Sequence, residues 1–144
     1  MLWPACTQKP TAVPDKSALV NIVHSFYQSF EQKDMALMAD LMAHDESMLS
    51  FGTSAADIHH SWTGWKTNHL AQFEAIDTAV ISSKNLQVYT SRDGGVAWFA
   101  DVTDWDLVVQ QDSIHMPGIR ITGVLEKREQ DWKIVQIHAS VPQE

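Results

Sequence analysis

Apolar residues return at helical intervals near the start of the chain: Leu19, Ile22, Val23, Phe26 and Phe30 stand at i, i+3, i+4, i+7 and i+11. That spacing makes one continuous stripe, which a helix buries against a sheet. Val20 and Tyr27 flank the stripe, and Asp15 stands where a capping side chain is needed. The run "EQKD" breaks the pattern. Asp34 can then cap a second helix predicted over 35–43, with Leu37, Met38, Leu41 and Met42 on its apolar side. A short strand is expected over 48–51, followed by a polar, irregular loop, "GTSAADIHHSWTG", of the kind that rims a site. A third helix is predicted from Gly64 to Thr78, with His69, Phe73, Ile76 and Val80 at helical spacing.

Beyond that point the pattern is that of strands. Residues 80–90 alternate loosely, and "SRDGG" supplies a hairpin turn. In 96–110, Val96, Trp98, Ala100 and Val102 share one parity, whereas Trp105, Leu107 and Val109 share the other. A β-bulge near 102–104 would hold all seven on one face and bend the strand. "QQDSIHMPG" reads as a loop before the last two strands, which are joined by a polar turn at 128–131. In the final strand Val135, Ile137, Ala139 and Val141 form a dry face, and Trp132, Ile134, Gln136, His138 and Ser140 a mixed one. Helices followed by antiparallel strands predict an α+β domain, its helices on one side of a curved sheet that leaves a cavity at the open end. Residues 1–15 form a flexible tail and 16–142 a single domain.

Composition narrows the function. With 144 residues the chain can bury about two-thirds of its unfolded surface in one core. Six tryptophans in that length suggest that some line a pocket or interface, because the ring N–H needs a partner when buried. A net charge of −8 without any Lys/Arg cluster argues against nucleic acid and anionic membranes as partners. No apolar run approaches the roughly 18 residues of a transmembrane segment. The lone Cys6 excludes an intrachain disulfide and any cysteine-based zinc site.

The stretch "MLWPACTQKPTAVP" is similar to the junction at which a bacterial lipoprotein signal is cut and the cysteine lipidated, without the apolar and basic leader. With such a leader upstream, Cys6 anchors the protein in the cell envelope; otherwise this is the tail of a cytoplasmic protein. Intact mass of the product of the full native gene separates the two, since lipidation adds acyl mass to a chain that begins at Cys6.

The paired helices "IVHSFYQSFEQKDMALMADLM", the "FGT…WTGW" segment, "GVAWFADV" and above all "GVLEKREQDWKIVQIHASVP" resemble the SnoaL-like branch of the nuclear transport factor 2-like superfamily, which includes ketosteroid isomerase. The resemblance spans 16–142. It implies a cone-shaped, cystatin-like fold with a pocket in the cone mouth and commonly a homodimer through the outer sheet face. Its members range from isomerases, cyclases and dehydratases to carriers and non-catalytic modules, so the fold leaves the activity open. The isomerase's oxyanion tyrosine falls on Phe26, its aspartate base near Ser50 and its protonated aspartate near Gly123. None of the three is retained, which argues against that reaction.

The expected function is therefore binding of a hydrophobic or aromatic small molecule, with cofactor-free acid/base chemistry as an extension. Its rival is a non-catalytic dimerisation module whose cavity is self-filled. Asp101, His69, Tyr27 and His138 are the candidate catalytic residues. Asp101 adjoins the apolar Trp98–Val102 run, where a carboxylate pointing into the cone would be a general acid or base; pointing outward, it is a solvated charge. Tyr27, Trp62, Trp65, His69, Trp98, His115 and Met116 are the candidate ligand-binding residues. No metal site is expected, because the seven histidines form no H-x-H or H-E-x-x-H and adjacent His59 and His60 point apart in an extended chain. Nor is a cofactor expected, since neither a phosphate-cradling glycine loop nor a dinucleotide fingerprint is present.

Overall fold

In the computed structural model, which describes residues 12–143, three helices lie on one side of a curved, seven-stranded sheet. Cys6 lies outside the described residues. Helix α1 (Lys16–Glu31) starts where the Asp15 carboxylate accepts from the Ser17 N–H at 3.0 Å, relieving one of the unpaired donors of a helix N-terminus. Its predicted stripe is the buried face, with Leu19 and Val23 fully enclosed. The chain reverses at Lys33, which has a left-handed φ of 55°. Asp34 then caps α2 (Met35–Leu41) by accepting from the Leu37 N–H.

Two short strands follow, β1 (Leu49–Phe51) and β2 (Ile58–His59), the second within the segment expected to be irregular throughout. Ser61 caps α3 (Trp62–Ala75). The helix is shorter than predicted. Ile76 already belongs to β3 (Ile76–Ser83), so Val80 lies in a strand and not on the helical face. Helical and strand spacing cannot be separated where one element passes into the next without a loop.

Strands β4 (Gln87–Thr90), β5 (Val96–Val109), β6 (Asp112–Arg128) and β7 (Asp131–Ser140) complete the sheet in the order β2-β1-β7-β6-β5-β3, with β4 also on β5. All pairs are antiparallel except β1 with β7, so the sheet is mixed. The long strand β5 serves two neighbours in turn: Ala97–Ala100 pair with β4, and Thr103–Val109 pair with β3. Asp101 stands at the changeover.

Two details differ from the sequence pattern. The expected loop at 110–118 is only a two-residue turn, Gln110-Gln111, both in the left-handed region that tight hairpins use. Strand β6 resumes at Asp112, in a polar stretch that carries no apolar alternation. The bulge lies opposite the expected one. Between the Thr103–Ile119 and Trp105–Met116 pairs it is β6 that holds the extra residue, at Gly118 (φ 70°), whose N–H donates to the Asp104 carboxylate. The first half of β5 therefore has the reverse of the expected parity, whereas Trp105 and Leu107 face inward as expected. Ala97, Phe99, Asp101 and Thr103 face the core, while Trp98, Ala100 and Val102 face outward.

A second register shift, at Val124/Leu125, leaves Val135 as an extra residue in β7, so Ile134 and Val135 are both buried. At Gly123 an added Cβ would stand 2.5 Å from the Phe99 ring and 2.9 Å from the Gln136 carbonyl oxygen. The absent side chain is what lets the fully buried Phe99 lie flat across β6. Gly123→Ala should lower stability by about 1–3 kcal/mol, read by urea denaturation. Combining it with Phe99→Leu should recover part of that loss, as expected for two side chains competing for one volume.

Candidate functional site

A cavity of about 80 Å³ opens between α1, α3, β1 and the inner face of the sheet. Its floor is apolar, from Ile81, Ile121, Ile137 and Ala139, and aromatic rings stand along its wall. Phe30 contacts Trp105 at 6.0 Å between ring centres, and Phe26 contacts Trp65 at 6.3 Å.

Helix α3 supplies the centre of the site. Trp65, His69 and Phe73 stand at i, i+4 and i+8 and form its buried face. The rings of Trp65 and His69 stack with centres 3.8 Å apart. Nδ1 of His69 lies 3.0 Å from the Trp65 carbonyl oxygen. A carbonyl only accepts, so Nδ1 carries the proton and Nε2 of the neutral ring is an unprotonated acceptor. Burial pushes the His69 pKa down to about 4; the Trp65 carbonyl opposes that shift, His59 adds to it and Asp57 weakens it. The imidazole is therefore neutral at pH 7 and a weak base. Trp65 is only 4% exposed, and its indole N–H has no partner among the described residues. His59, on β2, turns its ring perpendicular to that of Trp65, and its Nε2 is likewise buried and unpartnered. Asp57, near the rim, accepts a long hydrogen bond from Asn68 Nδ2 at 3.4 Å.

Tyr27 also lines the cavity, but its hydroxyl points to Asp101, donating to Oδ2 at 3.1 Å. Burial, and then the neighbouring Asp101 carboxylate, push the phenol pKa well above its ordinary value, so the proton stays on Tyr27. Asp101 is 4% exposed and also accepts from Ser83 Oγ at 2.7 Å and from the Asn85 N–H at 3.0 Å. It does not line the cavity; Tyr27 stands between.

The candidate residues thus fall into separate groups. Tyr27, Trp65 and His69 share the cavity wall. His138 alternates with the inward Ile137 and Ala139, so it lies on the outer face, where its ring meets Phe51 at 5.7 Å. Trp98 is 44% exposed on the same face and stacks on Tyr89, and His115 pairs there with Asp106 at 2.7 Å. Trp98 and His115 were expected at the pocket, and His138 either there or at a dimer interface; none of the three lines the cavity, because the parity of each strand turns them away. Met116 sits opposite Trp105 and Trp62 stacks on His44; neither reaches the cavity.

Phe30, Trp105, Asp57, Asn68 and Gln72 complete the wall and were not singled out by the sequence. Asn68 and Gln72 carried one legible signal, polar residues three and seven positions after Trp65 on the inward side of α3. No group of three or more His, Cys, Asp or Glu is placed to hold a metal among the described residues, and no helix among them is long and apolar enough to cross a membrane.

A family model described as a SnoaL-like domain matches residues 19–144. No curated protein of similar sequence was found. Among solved structures, a candidate dehydratase of the NTF2-like family from Streptomyces avermitilis is similar at a TM-score of 0.81 and 12% identity, covering 90% of this chain and 98% of that one. A candidate calcium/calmodulin-dependent protein kinase II association domain from Xanthomonas campestris gives 0.78 and 18%, covering 95% and 96%. A candidate ketosteroid isomerase from Shewanella frigidimarina gives 0.70 and 20%, covering 87% and 96%. Identities this low establish the shared fold alone.

The His69 geometry makes stability depend on pH. Its folded pKa is about 4 against 6.5 for the free side chain, so between these values the unfolded chain binds the proton and the folded one does not. The contribution is complete above pH 6.5 and is lost as pH falls to 4, by about 3 kcal/mol. Urea denaturation at pH 7.0 and 4.5 should show a smaller acid loss in His69→Phe than in the wild type.

Proposed function

The chain belongs to the SnoaL-like domain family, and from the cavity in its cone we propose that it binds a small hydrophobic or aromatic molecule there. One observation carries the reading: Trp65 lines the cavity, and its buried indole N–H has no partner among the described residues. An unpaired buried donor costs about 1–3 kcal/mol, and a bound molecule that accepts from it relieves that cost. The apolar floor and aromatic wall supply the burial that such a ligand needs.

Acid/base catalysis is the extension of this reading, with His69 Nε2 as the group that meets the ligand. Tyr27 would hold the ligand without giving up its proton, and Asp101 would act only by orienting Tyr27. A base with a pKa near 4 suits hydrogen bonding better than abstraction of a carbon-bound proton at pH 7. Binding is accordingly the primary function and catalysis secondary.

A second reading, a dimerisation module, is favoured by the outer sheet face. Trp98, Tyr89 and Val102 are exposed together there, with Val80 and Phe51 on the same side of the sheet. The two readings are compatible, since one uses the inside of the sheet and the other its outside.

Native mass spectrometry of protein purified gently from its own host tests both. A dimer carrying non-covalent mass is expected; Ala139→Phe, which fills the cavity, should lose that mass and stay dimeric, and Trp98→Arg should become monomeric. A dimer without adduct, in which Ala139→Phe changes nothing, would leave only the module. A monomeric wild type would remove the dimer.

A further inference from the structure

We infer that the cavity selects a neutral, single-ring aromatic molecule bearing a hydroxyl or N–H donor, a phenol being the simplest example. The inference rests on the ligand-binding reading above and concerns which chemistry that site takes.

Hydrogen-bonding roles along the aromatic wall are already assigned within the protein. Tyr27 commits its proton to Asp101, outside the cavity, so it has none to give a ligand. His69 donates from Nδ1 to the Trp65 carbonyl, which leaves Nε2 as an acceptor. A purely apolar ring would bury that lone pair without a partner, at a cost. A hydroxyl donates to it, and its own oxygen can accept from the Trp65 N–H, which has no partner among the described residues. One small group answers both demands.

Charge and size narrow the class further. Among the described residues no lysine or arginine lines the cavity, and Asp57 is the one carboxylate in its wall. An anionic ligand would lose its hydration and meet no cation. About 80 Å³ is roughly half the ~150 Å³ of an apolar cavity that takes benzene, so a single ring enters with part of it at the cavity mouth and a fused system is excluded; Phe26, Phe30, Trp65 and Trp105 offer it ring edges and faces.

The test is a titration of the wild-type protein at pH 7 with phenol, benzene and benzoate, followed by NMR. Phenol should bind about tenfold more tightly than benzene, the effect of one well-placed hydrogen bond, and benzoate should bind most weakly. In His69→Phe, benzene binding should persist while the advantage of phenol shrinks to about twofold or less. Equal binding of phenol and benzene, or tighter binding of benzoate, would overturn this inference and leave the ligand-binding reading standing. An undiminished phenol preference in His69→Phe would overturn the assigned role of His69. Absence of binding by all three would remove both readings. The wild-type comparison decides the ligand class even if the variant does not fold.

Discussion

A carboxylate with 4% exposure cannot be left without donors, and the arrangement around Asp101 answers that requirement with three. The donors come from separate parts of the chain: the Tyr27 hydroxyl on α1, the Ser83 hydroxyl at the end of β3 and the Asn85 N–H in the turn to β4. Asp101 itself lies where β5 passes from one edge partner to the other. At that point the backbone ladder is interrupted, and the side chain substitutes for it. Helix α1 is thereby pinned to the bend of the sheet by a polar contact with defined geometry, which apolar packing alone would not specify.

The cavity follows from that pin. With α1 held by Tyr27, its next inward residues, Phe26 and Phe30, become wall instead of filler. Helix α3 closes the other side with Trp65 and His69, held in register by the hydrogen bond from His69 to the Trp65 carbonyl one turn earlier. Polar groups that look catalytic in isolation are therefore used by the fold itself: Asp101 to bind the helix, Tyr27 to reach Asp101, His69 Nδ1 to fix its own ring. On the proposed binding, what remains for a ligand is Nε2 of His69. Such a site is preorganised, because each of these rotamers is fixed by a contact that does not involve the ligand.

Much of this was legible in the sequence. The α1 stripe, both caps at Asp15 and Asp34, and the α+β order follow from spacing and side-chain chemistry, which act locally. The face of β5 did not. Val96, Trp98 and Val102 rival Ala97 and Phe99 in hydrophobicity, and a strand apolar on both sides carries no parity signal. Trp98 was placed inward because it shares a parity with Val96, Ala100 and Val102, and that apolar parity is the outer one. Helix α3 was misjudged at its C-terminal end, where no turn separates it from β3. Of the site, Tyr27, Trp65 and His69 could be named from residue type and helical position, whereas Asp57, Asn68 and Gln72 could not, because a polar residue reveals its direction only once its element is placed.

The glycine at 123 bears on how this domain can change. Its missing side chain is the space that Phe99 fills, so any side chain added there makes the ring or the neighbouring backbone shift. By the family resemblance, a carboxyl group would belong near this position in the isomerase. Placing an acid here would require two substitutions, a smaller residue at 99 before the acid at 123. Taken the other way round, the intermediate would carry both a clash and a buried charge. The two positions are therefore coupled: a side chain is accommodated at 123 only to the extent that the one at 99 becomes smaller or moves.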